Sequence, residues 1–103
     1  MDFKIKKEPI ECSNKEDIRE QIDSIDKEII LLFAKRFEYV SEIVKYKNNP
    51  ESVVANDRKN LVITQRGNWA NELGLDRKTF ENIYKCLIES NIEKELEILE
   101  QRK

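Results

Sequence analysis

The sequence predicts an all-α chain of three helices, one long and two shorter. Three observations predict it. Apolar residues recur at three- and four-residue spacing over long stretches, the period of a helix with one buried face. Gly and Pro are scarce, two of each in 103 residues, too few for the turns of an all-β fold. The breaks between periodic stretches carry helix start and stop signals.

Residues 1–12 lack a helical period and are expected to form a flexible N-terminal arm ahead of a helical domain over 13–103. Ser13 and Glu16 have the spacing of a capping box, and Asp17 adds negative charge to the first turn. The first helix is therefore placed from about Asn14. Neither Gly nor Pro interrupts it before Asn49-Pro50, so it is expected to run to Asn48. A helix of about 34 residues is roughly 50 Å long. A compact domain of this size has a radius of gyration of only about 13 Å. Three helices of one chain cannot cover so long an apolar stripe, which points to a homodimer with the long helices of two chains packed together. Residues 49–55 are read as a loop. The second helix starts near Asn56 or Asp57, carries Leu61, Val62, Trp69, Ala70 and Leu73, and closes at Gly74. Trp69 is read as a core residue. Asp76 caps the third helix, whose apolar positions run from Phe80 through Ile83, Tyr84, Leu87, Ile88, Ile92 and Leu96 to Leu99.

Composition excludes several classes of function. A net charge of −2 does not suit a nucleic-acid or anionic-membrane surface. The sequence has no apolar run of about 18 residues, and its N-terminus lacks the apolar segment of a secretory signal. Two cysteines, Cys12 and Cys86, do not make a disulfide framework and read as free thiols in a reducing cytosol, so a cytoplasmic protein is expected. There is no histidine, hence no imidazole base, triad or metal ligand. No phosphate-binding glycine loop is found either. Neither a metal nor a cofactor is expected, and any catalysis must use Arg, Lys, carboxylates and amides.

The informative anomaly is cationic. The apolar stripe of the first helix runs through Ile18, Ile22, Ile25, Ile29 and Leu32, then meets Arg36 and Lys47. Those two are eleven positions apart, about three turns if one helix carries both. Arg58 shares a face with Leu61, Val62 and Trp69. In the third helix Asn91 and Glu95 continue the face of Tyr84 and Ile88. A cation on a buried face is costly unless an anion meets it, and these faces hold few carboxylates. A pocket for a small, multiply anionic ligand is the reading that follows. Taken singly, each residue also has a plain structural reading. Arg36 and Glu95 can be members of ion pairs, Lys47 a snorkelling lysine, Arg58 an exposed first-turn residue and Asn91 an ordinary interhelical amide. Arg19 lies about 100° off the Arg36 face and is expected on the surface of its own chain, on the flank that a dimer partner would meet.

The stretch DIREQIDSIDKEIILLFAKRFEYVSEIVKYK resembles the first helix of the all-α chorismate mutase family. The shared skeleton is I-R-x-x-I-D-x-I-D, a Leu/Ile run, an arginine, and a lysine eleven residues on. NWANELGLD and the amphipathic helix after it are similar to the same family, and the likeness is strongest to the branch that includes isochorismate pyruvate lyases. It covers residues 12–100. The resemblance implies an intertwined dimer with two equivalent sites and a small dianionic substrate. Arg36 would bind one substrate carboxylate and Arg19 another, in the partner's site. Lys47 would stand by the ether oxygen, Arg58 would help to close the pocket, and Asn91 would make a small polar contact. Glu95 falls where many members have a Gln that donates to the ether oxygen. The family's pattern is broken at Lys59, where bacterial mutases have Glu, at Ala55, which aligns near another acidic contact, and at Glu95, which could donate only if protonated. Chorismate mutase is the first expectation, isochorismate pyruvate lyase the second, with both activities in one pocket an open case. A non-catalytic helical dimer is the alternative of a different class.

Overall fold

The computed structural model describes residues 3–102, so residues 1 and 2 of the expected arm and the terminal Lys103 lie outside the described residues. All regular structure among the described residues is helical. It comprises α1 (Lys15–Ile43), α2 (Pro50–Val54), α3 (Asn56–Glu72) and α4 (Arg77–Gln101), with 3-10 turns at Pro9–Glu11 and Val44–Tyr46. The chain divides into two compact units, residues 1–38 and 39–103.

In the first unit α1 starts where the sequence places it, but with a different cap. The Asn14 side chain accepts from the Asp17 amide at 2.8 Å, and Asp17 reaches back to the Ser13 amide at 3.1 Å. Asn14 instead of Ser13 is thus the N-cap, and Asp17 takes the amide of the residue before the cap, so the expected Ser13–Glu16 box is replaced by a related pair of bonds. Lys7 donates to the same Asp17 carboxylate at 3.1 Å. The Ser13 amide and then Lys7 hold Asp17 below the usual carboxylate range, and the hydrogen bond to Asp17 raises Lys7. Phe3, Ile5 and Pro9 approach Ile18, Ile22 and Ile25 around a cleft of about 150 Å³. No residue of α1 is buried. Several of its large apolar side chains are exposed, Ile25 at 38% and Ile30 at 68% among them.

The second unit holds the core, Val44, Val53 and Leu99, with Ile92, Leu96 and Ile98 against it. Here α1 ends five residues before the predicted Asn48. Nothing local stops it, since Asn49-Pro50 is still ahead; the stop is tertiary. Val44 is drawn to 1% exposure, its carbonyl accepts the Lys47 amide at 3.0 Å, and the Arg102 guanidinium donates to that carbonyl too. Lys47 consequently leaves the helix on extended backbone, φ −115° and ψ 130°. The three-turn argument linking it to Arg36 does not apply.

Residues 49–55 are not the expected loop. Asn49 caps a short helix by accepting from the Ser52 amide at 2.9 Å, and Pro50 occupies the first helical position. Ala55, left-handed at φ 39°, separates α2 from α3. The end of α3 is a Schellman motif: the Leu75 amide donates to Ala70 at 2.9 Å and the Gly74 amide to Asn71 at 3.1 Å, with Gly74 at φ 79°. Asp76 then caps α4 by accepting from the Thr79 amide and hydroxyl at 3.0 and 2.6 Å. Gly67 lets α3 and α4 approach closely, since a Cβ there would lie 2.7 Å from Glu81 Cγ.

Candidate active site

Beyond Val44, the extended backbone at Lys47 aims its side chain toward α4, the helix that carries the other buried polar residues. Along one α4 face, spaced by four, stand Asn91, Glu95 and Leu99, all buried. Leu99 joins the core, while Glu95 receives the ammonium of Lys47 at 2.8 Å. The side chains of the two are 20% and 7% exposed. At this depth the pair persists because each charge answers the other; removing one partner would leave an uncompensated buried charge. This corrects the expectation that carboxylates are too few to pair the cations. One of the three cations expected to face inward has its own acid. Glu95 here accepts, with its carboxylate facing an ammonium, in contrast to a donating amide at that position. Asn91, one turn before Glu95, extends the buried polar strip.

Arg58 stands exposed at the start of α3, while Val62, one turn on, is buried. Its face is therefore less inward than the apolar spacing suggests. Trp69 is 52% exposed and not a core residue. Its ring carries the guanidinium of Arg66 4.5 Å from the centroid, with the Tyr84 ring of α4 5.8 Å from the same group. Sequence reasoning missed Arg66; the Arg-x-x-Trp spacing, which stacks the two along one helix face, was the available signal. Neighbouring Lys59 bonds Glu89 of α4 at 3.1 Å, a bridge between helices far apart in sequence and invisible before packing.

Arg19 and Arg36 belong to the first unit. Arg19 is exposed, as is the apolar stripe beside it, and Arg36 is half-buried. Of the six candidate residues, the structure joins Lys47 and Glu95 directly and sets Asn91 on the same α4 face. Among the described residues no group of His, Cys, Asp or Glu could hold a metal ion, and no helix is long and apolar enough to cross a membrane.

Comparison with known proteins adds three findings. A family model described as chorismate mutase type II matches residues 18–96. The chain is 33% identical over 82 residues to the isochorismate pyruvate lyase of Pseudomonas aeruginosa, an alignment that spans 80% of this chain and 81% of that one. It is 35% identical over 68 residues to the T-protein of Haemophilus influenzae, across 65% of this chain and only 18% of that protein.

Proposed function

The chain belongs to the chorismate mutase type II family, and from that premise we propose that it is an enzyme that rearranges chorismate to prephenate in a shared-site homodimer. The observation that carries the reading is the Lys47 ammonium seated on a buried face beside Glu95 and Asn91. The rearrangement breaks the ether C–O bond and forms a C–C bond in one cyclic movement of electrons, without proton transfer. A site lacking histidine is no handicap for it. The protein has to hold the compact conformer and stabilise negative charge growing on the ether oxygen. In this reading Arg36 binds one substrate carboxylate and the partner's Arg19 the other. Lys47 faces the ether oxygen, Glu95 completes that contact, Asn91 supplies a polar contact and Arg58 helps to close the pocket. Four cations against one carboxylate leave an excess suited to a dianion.

The homodimer is supported by α1 itself. A helix of 29 residues without a buried position is about 43 Å of apolar stripe that a second copy would cover.

A second reading, cleavage of isochorismate to salicylate and pyruvate, is favoured by two observations. One is the relative named isochorismate pyruvate lyase, matched over 81% of its length. The other is Lys59, bound to Glu89 where the mutase pattern has an acid. That reaction breaks the same ether bond and moves a ring hydrogen to the departing pyruvyl fragment, so the same cations would serve it. Purified protein should be given chorismate and isochorismate separately, with products identified by chromatography. Prephenate from chorismate is the expected result. Salicylate alone selects the second reading, and no turnover of either refutes both.

A further inference from the structure

We propose that Arg102 is a positioning residue for Lys47, its guanidinium holding the Val44 carbonyl and so fixing the backbone from which the Lys47 ammonium reaches Glu95. The catalytic part of this inference rests on the function proposed above.

The argument starts from the end of α1. The last carbonyls of a helix have no partner within it, and the final turn of α1 contains no basic residue to serve them. The Val44 carbonyl, just beyond that end, instead accepts two donors, the Lys47 amide and the Arg102 guanidinium. A cation suits this place because helix C-termini carry partial negative charge. The Val44 side chain is fixed independently, at 1% exposure beside Val53 and Leu99.

One stripe of α4 and its C-cap residue supply three of the contacts. Glu95, Leu99 and Arg102 follow at spacings of four and three, one face of a helix. Glu95 takes the Lys47 ammonium, Leu99 packs in the cluster of Val44, and Arg102 takes the Val44 carbonyl. Residues 44–47 are thereby held by an ion pair and an apolar contact from α4 and by a charged hydrogen bond from its C-cap residue. Lys47 stands on non-helical backbone, where no ladder of helical hydrogen bonds orients it. Without Arg102 its direction would depend on its own amide bond and on Glu95, which a substrate anion would compete with.

The test uses the full chain with Arg102→Ala and Arg102→Lys, reading amide hydrogen exchange and steady-state kinetics. In Arg102→Ala, exchange at the Lys47 amide should quicken about tenfold or more while Val62 and Ala70 in α3 keep their protection. In the same variant kcat should fall about tenfold with KM within about twofold, because a displaced catalytic group costs the transition state more than the ground state. Arg102→Lys, which keeps one charged donor, should recover most of both. An unchanged Lys47 amide, an unchanged kcat, or protection lost equally in α3 would overturn the proposal. If the wild-type chain converts neither substrate, the functional reading fails on that assay, and the Lys47 amide decides the clamp by itself.

Discussion

Lys47 and Glu95 are the two residues whose meaning changed most between sequence and structure. As letters they are a cation on a greasy face and an acid where an amide is usual in the resembled family. In the fold they are one ion pair at 2.8 Å. A carboxylate that holds an ammonium can orient it, but it cannot donate to an ether oxygen unless it first takes up a proton. Glu95→Gln, which keeps the shape, can donate, and no longer neutralises the Lys47 ammonium, is accordingly expected to keep or raise turnover, whereas Glu95→Ala, which leaves Lys47 without a partner, should lower it about tenfold or more. Initial rates of the two variants against the wild type check this, and equal losses in both would show that Glu95 is needed as a carboxylate. Asn91 and Glu95 were legible as inward residues because four-residue spacing on an uninterrupted helix fixes a shared face. Arg58 and Trp69 misled, because α3 is too polar around its circumference for spacing to say which of its sides is covered. Lys59 and Arg102 were not legible as partners, since each meets a group whose place only packing determines, whereas Arg66 meets Trp69 one turn along its own helix.

At the level of elements, starts and stops written in local chemistry were readable and those imposed from a distance were not. The Asp76 cap and the Gly74 terminus stand where the letters put them. The short α2 was missed although Asn49, Pro50 and Glu51 spell a helix start, because five residues were read by their breakers alone. The early end of α1 had no local signal, as its cause is the burial of Val44. The caps also carry a pH signature. The Thr79 hydroxyl, then the Thr79 amide, hold Asp76 below the ordinary carboxylate range. A carboxyl depressed in the folded state contributes stability above its unfolded pKa, and that contribution is lost as pH falls through the folded value. Between about pH 5 and pH 2 the melting temperature of Asp76→Ala should therefore fall less steeply than that of the wild type. Parallel slopes by circular dichroism would show that the cap does not act through its charge.

For the molecule as a whole, the exposed apolar side of α1 and the off-stripe position of Arg19 belong to one proposal, a site completed by a second copy. Arg19→Ala and Lys47→Ala homodimers should each be nearly inactive. Mixed in equal amounts after subunit exchange, half the dimers would be hybrids with one intact site, so about a quarter of wild-type activity should return. Exchange demonstrated by mass spectrometry without recovered activity would refute the shared site. The letters alone determined the helical class, the starts of the three longer helices and the end of α3, the cationic character and the family resemblance, because period, caps and charge are properties of neighbours along a chain. Tertiary structure alone decided where α1 ends, that Glu95 rather than a ligand meets Lys47, and that Arg102 braces the turn between them. Those contacts join residues 48 and 58 positions apart, and their pairing arises only once burial of Val44 and Leu99 has brought the two segments together.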